Sequence, residues 1–89
     1  MNSYEYYELL KHILREPLSY LEEYEGKTNI DEFTLGIIKG FFYTVDSIYN
    51  EVYSYRKMYS IKYLKLIKEL KLERIHSGLL KILMNNKYM

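Results

Sequence analysis

The chain has 89 residues, of which 48% are hydrophobic and none is cysteine, and its formal net charge is +1. This length has room for one domain, and the lack of cysteine excludes disulfides, thiolate chemistry and cysteine-ligated metals. No uncharged run approaches the ~20 apolar residues of a membrane-spanning helix, and Met1–Glu5 lacks the basic and apolar segments of a signal peptide, so we expect a cytoplasmic protein without a membrane partner.

The first predicted helix covers residues 3–25. Its apolar residues recur at the helical period and keep their phase through Pro17: Tyr6, Tyr7, Leu9, Leu10, Ile13, Leu14, Leu18, Tyr20, Leu21 and Tyr24. This continuity predicts one helix that is kinked at Pro17, because proline cannot donate a hydrogen bond to the Ile13 carbonyl. An alternative is a short helix that ends at Arg15 and a second helix with Pro17 at its first position. Gly26 is expected to end the helix.

The second predicted helix covers residues 30–57 and forms the long central helix of the fold. We expect Thr28 or Asn29 to cap its N-terminus, with Asp31 and Glu32 in the first turn. Its apolar residues form one arc with coiled-coil-like spacing, widened by Phe42, Tyr49 and Tyr53: Ile30, Ile37, Ile38, Phe41, Val45, Ile48, Val52, Tyr55 and Tyr59. One short neighbouring helix cannot cover this arc, so we expect a homodimer.

Small residues form a stripe beside that arc, at Gly36, Gly40, Thr44 and Ser47. A glycine in a helix interior costs roughly 1 kcal/mol relative to alanine. Close approach of another backbone would offset this cost. The stripe therefore predicts tight packing, either within the chain or between two copies in a dimer.

The C-terminal third contains a change in the direction of its apolar face. Residues 60–70 are apolar at Tyr63, Leu64, Leu66, Ile67 and Leu70, and residues 72–83 are apolar at Leu72, Ile75, Leu79, Ile82 and Leu83. Counted at the helical period, the face turns by roughly 130° across residues 69–71. This predicts a turn near residues 69–72 between helices at 60–69 and 72–85. Alternatives are a straight helix buried by different partners, or a strand around residues 64–72. The tail from Asn85 is expected to fray.

Catalytic groups are sparse, which predicts a protein that is not an enzyme and has no cofactor. The only histidines are His12 and His76. Glu8 and His12 are spaced as a surface pair on a helix, but two ligands do not hold zinc. The sequence also has no glycine-rich phosphate loop and no Ser/His/Asp arrangement.

The charges divide along the chain into an acidic first part and a basic remainder. Residues 1–32 contain eight acidic and three basic residues, whereas residues 33–89 contain four acidic and ten basic residues. The chain has 12 tyrosines, more than so small a core can bury, and exposed tyrosines favour protein binding. The hypothetical protein-binding surface on the first helix is therefore Tyr6, Glu16, Tyr20, Glu22, Glu23 and Tyr24.

The basic remainder supports an alternative function, nucleic-acid binding. Its candidate residues are Lys62, Lys65, Lys68, Lys71 and Arg74, with tyrosines interleaved for stacking on bases. A helix–turn–helix interpretation places Glu73, Arg74, Ser77 and Lys81 on the outer face of the last helix. A simpler interpretation is that these lysines form a solvated helix face, neutralised within the fold by the acidic first helix.

The sequence thus predicts an all-α bundle of three to four helices in a single domain, 1–89. Abundant Lys, Ile, Asn and Tyr with scarce Ala, Val and Pro indicate AT-rich coding DNA, as in phages, viruses and plasmids. The leading hypothesis is a protein-binding regulator or inhibitor from such a source, of the anti-defence or host-takeover type, as anti-CRISPR and anti-restriction proteins are. Its partner would be a host enzyme or a nucleic-acid-binding complex. A structural or assembly protein is a further alternative.

Overall fold

The computed structural model describes residues 3–54 and 61–89; residues 55–60, which include the predicted end of the second helix, lie outside the described residues. The described residues form four α-helices and no β-strand: α1 (Ser3–Tyr24), α2 (Glu32–Ser54), α3 (Ile61–Glu69) and α4 (Leu72–Asn85). The predicted class, a small all-α bundle, is confirmed. The alternative strand around residues 64–72 is wrong.

The first helix, α1, runs through Pro17 as one element. The alternative of two helices separated at this proline is therefore wrong. Pro17 is buried together with Leu10, Leu14 and Leu21, so the side of α1 that carries the proline faces the core. After α1, Gly26 has a φ of 77°, the left-handed conformation that ends many helices and that glycine adopts at little cost.

The second helix, α2, begins two to three residues later than its predicted cap implies. Asp31 is the capping residue, because its carboxylate accepts hydrogen bonds from the Thr34 backbone N–H at 2.9 Å and from the Thr34 hydroxyl at 2.8 Å. The expectation that Thr28 or Asn29 caps α2 is wrong. Asn29 instead has a φ of 60°, a left-handed turn that asparagine tolerates better than most residues.

The core lies where α4 packs against both α2 and α1, and the α2–α4 pairing is the most extensive in the bundle. Buried aliphatic and aromatic side chains from all four helices and from the turn between α3 and α4 fill it: Leu10, Leu14, Leu21, Leu35, Ile38, Phe42, Val45, Val52, Ile67, Leu70, Leu72, Ile75, Leu79, Ile82 and Leu83. The core face of α2 lies slightly to one side of the predicted arc, since it includes Leu35 and Phe42 while Phe41 and Ile48 are half-buried.

A two-residue turn at Leu70 and Lys71 joins α3 to α4. Backbone hydrogen bonds from Leu70 to Ile67 and from Lys71 to Lys68, both 3.1 Å, close α3, and Lys71 then takes a left-handed φ of 57°. This single residue reorients the chain, so that Ile67 and Leu70 before the turn and Leu72 after it all enter the same core. The turn lies where the change of apolar face predicts it.

The glycines of α2 and α4 differ in what surrounds them. The stripe residues Gly36, Gly40, Thr44 and Ser47 are all exposed, and a Cβ on Gly40 would meet no described atom within 4 Å. A Cβ on Gly36 would lie 3.5 Å from the Tyr88 hydroxyl, an ordinary van der Waals contact with the tail. The expected packing within the chain is therefore wrong at Gly40 but not at Gly36, and packing between two copies stays a prediction. The close approach is at Gly78 on α4, where a Cβ would lie 2.5 Å from Leu21 Cδ1 of α1.

The tail after α4 is held to the loop between α1 and α2. The side-chain oxygen of Asn86 accepts a hydrogen bond from the Ile30 backbone N–H at 3.2 Å, and its amide nitrogen donates to the Lys27 carbonyl at 3.1 Å. The Tyr88 N–H bonds back to the Leu83 carbonyl at 2.9 Å, and its ring packs against the core. The expectation that the tail frays is wrong.

Candidate functional site

The six residues proposed from the sequence as a protein-binding surface do not share one face of α1. Glu16, Tyr20 and Glu23 follow each other at helical spacing on one side, and the two glutamates are exposed. Glu22 lies on the opposite flank, in line with Arg15. Tyr6 and Tyr24 are half-buried and pack against the core.

The side of α1 that carries Glu16, Tyr20 and Glu23 continues towards the N-terminus through two exposed aliphatic residues. Leu9 is 42% exposed and Ile13 is 37% exposed, although both belong to the apolar arc of α1. We call Leu9, Ile13, Glu16, Tyr20 and Glu23 the α1 stripe; their spacing of four, three, four and three places them on one helix face. The sequence pattern predicted burial for Leu9 and Ile13, so their exposure is visible only in the structure.

Aromatic packing fixes Tyr20, the one aromatic residue of the α1 stripe. The Tyr20 ring lies 5.9 Å from the Tyr24 ring and meets Phe41 of α2 edge-on at 5.1 Å. Offset and edge-to-face arrangements at these distances are the favourable geometries for aromatic pairs. Tyr20 is therefore a half-buried ring whose orientation is set before any partner arrives. Among the described residues, no ion pair involves Glu16 or Glu23.

The basic residues proposed for nucleic-acid binding are only partly brought together. Lys65, Lys68 and Lys71 are exposed, and the side chain of Lys62 lies outside the described residues. Arg74 pairs with Glu25 at the end of α1, with 3.3 Å between its guanidinium nitrogen and the carboxylate oxygen. Both side chains are about half exposed, so the pair is worth at most about 1 kcal/mol, but it neutralises part of the basic run.

Two basic residues of the acidic first helix join this region. Lys11 and Arg15 of α1 line a cleft of about 240 Å³ together with Lys71 from the turn between α3 and α4, and Glu69 is the acidic residue in its wall. Its other lining residues are Tyr7 and four aliphatic side chains, Leu14, Leu18, Leu70 and Ile75. We call this the turn cleft. Sequence reasoning did not find it, because it grouped Lys11 and Arg15 with the acidic segment.

A polar cluster between α2 and α4 is the other feature that sequence reasoning missed. His76 Nε2 lies 2.7 Å from Asp46 Oδ1, and the imidazole stacks on Tyr49 at 4.2 Å and on Phe42 at 5.2 Å. The sequence contained one indication of this cluster, because Asp46 and His76 both border the apolar faces of their helices. Because the imidazole lies between two rings and is only 19% exposed, the arrangement is suited to holding α4 against α2.

Tyr53 lies next to this cluster and touches Tyr49, with 4.6 Å between the ring centroids. Burial of the ring, reinforced by a hydrogen bond to Glu73 and by the negative charge of that carboxylate, raises the pKa of Tyr53 to about 12. A hydroxyl held neutral in this way is a poor nucleophile and a poor base at neutral pH. It acts as a hydrogen-bond donor that joins α2 to the first turn of α4.

The remaining candidates for chemistry lie on the surface. Glu8 and His12 are exposed on α1. Within residues 3–54 and 61–89, no three His, Asp or Glu side chains are grouped so that they could hold a metal ion. No helix in the described part of the chain is long and apolar enough to cross a membrane. Comparison with protein-family models, with curated proteins and with solved structures gave no match.

Proposed function

We propose that this protein is a non-enzymatic regulator or inhibitor that binds another protein through the α1 stripe. The observation that carries the proposal is the juxtaposition of two exposed aliphatic side chains, Leu9 and Ile13, with the fixed ring of Tyr20. A well-positioned aromatic residue beside aliphatic groups is the usual composition of the energetic centre of a protein interface.

Charge supports the same surface and indicates the type of partner. Glu16 and Glu23 precede and follow Tyr20 along the stripe, and both carboxylates are exposed. A surface of this kind complements a protein whose binding face is basic, and long-range attraction between such faces accelerates association. A host enzyme that itself binds nucleic acid has such a face. By binding such an enzyme, the protein acts as an anti-defence or host-takeover factor. Its amino-acid composition, typical of AT-rich coding DNA, supports an origin in a phage, virus or plasmid.

Position-specific photo-crosslinking in the cell of origin tests the proposal. A photo-reactive phenylalanine analogue replaces Ile13 in one variant and Asn50, an exposed residue of α2, in a matched control. We expect a discrete cross-linked partner from position 13 and none from position 50. The partner is then produced in pure form, and its affinity is measured for Ile13→Ser, for Glu16→Lys/Glu23→Lys and for the charge-reversal control Glu51→Lys.

The stripe variants should weaken binding by at least tenfold, and Glu51→Lys should leave it unchanged. Equal affinity across all variants would contradict the proposal. Because Ile13 is partly exposed, Ile13→Ser should remain folded, which thermal unfolding checks. The predicted homodimer is tested separately by light scattering, where a dimer has twice the chain mass of 10.9 kDa. A monomer at micromolar concentration would refute the dimer and leave the binding proposal intact.

A further inference from the structure

The turn cleft brings together positive charge from two parts of the chain that are far apart in sequence. Lys11 and Arg15 lie on successive turns of α1, and Lys71 is the residue with left-handed backbone conformation between α3 and α4. Against these three cations the cleft wall has one carboxylate, that of Glu69. This surface is positive although residues 1–32 are acidic as a whole.

The floor and one wall of the turn cleft are suited to flat, weakly polar groups. Leu14, Leu18, Leu70 and Ile75 provide aliphatic surface, and the ring of Tyr7 lies at the wall. A ligand that fits this combination has negative charge for the rim and planar rings for the apolar surface. A nucleotide has both, since one sugar joins its phosphate to a planar base.

The positive surface extends past the turn. A second cleft of about 320 Å³ shares Lys71 with the turn cleft and is also lined by Lys68. Its wall includes Glu73 and also Arg74, whose charge is partly neutralised by Glu25. Lys71 borders both clefts, so cations follow one another around the turn from α1 to α3. A chain of phosphates can follow such a path, whereas a single phosphate ion uses only part of it.

The outer face of α4, which is the alternative surface for nucleic acid, does not have a continuous row of cations. Its exposed residues include Glu73 and Lys81, and its Arg74 is already paired with Glu25. That face has little net positive charge to offer a duplex, which carries its phosphates at high density. The concave turn cleft is also better shaped for unstacked bases than for a base-paired helix.

We propose that the turn cleft binds single-stranded nucleic acid, with Lys11, Arg15 and Lys71 contacting successive phosphates and the apolar floor receiving a base. This activity is separate from the α1 stripe, because Lys11 and Arg15 lie on the flank of α1 that carries Leu14 and Leu18. Nucleic acid and a protein partner can therefore occupy different faces of the same helix.

Fluorescence anisotropy with a labelled oligothymidine of about 12 nucleotides tests the proposal on the full chain. With three phosphate contacts, the logarithm of affinity should fall against the logarithm of salt concentration with a slope of about −2. This corresponds to a loss of about 20-fold between 50 and 200 mM salt. The double variant Lys11→Gln/Arg15→Gln and the variant Lys71→Asn remove the proposed contacts; asparagine tolerates the left-handed backbone at that position.

The expected result is a slope reduced by about 0.7 for each cation removed, with weaker binding at every salt concentration. Lys81→Gln is the matched control, since it removes the same charge from exposed α4 surface beside a different cleft, near Gly26. It should change the affinity by less than twofold. All of these positions are exposed, so unfolding temperatures should stay within a few degrees of wild type, which circular dichroism checks.

Four results of the direct binding measurements would overturn the proposal. These are no oligothymidine binding at 20 mM salt, equal binding by the Lys11/Arg15 double variant, equal loss in Lys81→Gln, or equal affinity for a duplex of the same length. Competition experiments distinguish a nucleic-acid strand from two other ligands, a generic polyanion and a single nucleotide. Displacement by equimolar polyglutamate would show that any polyanion suffices, and displacement by equimolar nucleoside monophosphate would show a site for one nucleotide; either result refutes a strand-binding cleft.

Discussion

Replacing Gly78 by alanine puts a methyl group into the closest contact between α4 and α1. The added Cβ would lie 2.5 Å from Leu21 Cδ1, 3.1 Å from Cδ2 and 3.4 Å from Cγ. Ordinary carbon contacts lie at about 3.5–4.0 Å, so the nearest atom must move by about 1 Å or more. Leu21 is 1% exposed and packed in the core, so the methyl group must be accommodated by a shift of the Leu21 side chain or by a small separation of the two helices.

The expected free-energy change has two parts of opposite sign. Overpacking of a filled core costs about 1–3 kcal/mol, whereas exchanging glycine for alanine inside a helix gains about 1 kcal/mol. Gly78→Ala should therefore lower the free energy of unfolding by about 1 kcal/mol, which lowers the midpoint temperature by about 4–8 °C in a domain of this size. Urea unfolding followed by far-ultraviolet circular dichroism measures the change.

Gly40→Ala is the matched control, because it makes the same exchange in α2 where a Cβ meets no described atom within 4 Å. It should raise the free energy of unfolding by up to about 1 kcal/mol. The difference between the two variants isolates the overpacking cost. If the variants are equally stable, the close approach of α4 to Leu21 is refuted. Light scattering on Gly40→Ala also tests the predicted dimer, since a methyl group in a packed glycine stripe would shift the assembly towards monomer.

Three further predictions concern polar groups. Asn86→Ala should destabilise the chain by about 1–3 kcal/mol and accelerate hydrogen exchange in the loop between α1 and α2, because it removes both hydrogen bonds to that loop. The pKa of Tyr53 is raised from 10.0 to about 12, so its hydroxyl ionises at lower pH in the unfolded chain than in the folded chain. The free energy of unfolding of the wild type, relative to that of Tyr53→Phe, should therefore fall between pH 10 and 12, by at most about 1.4 kcal/mol per pH unit. The Thr34 backbone N–H and hydroxyl lower the pKa of Asp31 below 3.8, so wild type should lose stability relative to Asp31→Asn as the pH falls below that value in acid titrations.

Local patterns predicted the elements that depend on a helix and its own buried face. The shift of apolar face between Ile67 and Leu72 was sufficient to place the turn between α3 and α4, because one straight helix cannot bury both sides in one core. The unbroken phase through Pro17 was likewise sufficient for α1. The left-handed conformation of Lys71 was not predictable, since lysine has no preference for it and the packing on both sides imposes it.

The sequence predictions failed for features that depend on contacts between distant parts of the chain, namely the capping residue of α2 and the turn cleft. Thr28, Asn29 and Asp31 are all good capping residues, and the choice of Asp31 follows from a loop that is held by Asn86 of the tail. The turn cleft escaped notice for a related reason. Net charge summed along a segment cannot show which flank of a helix carries Lys11 and Arg15, or what the fold places opposite them.

The bond between Asn86 and the first loop has a consequence for how the molecule folds. It joins positions separated by 56 and 59 residues, and the helix that precedes it supplies the largest share of the α2 interface. The loop between α1 and α2 is completed by the tail and much of the α2 core face by α4, so we expect an isolated α1–α2 hairpin not to fold by itself. Contacts so distant in sequence make folding cooperative and slower than in bundles of sequential hairpins.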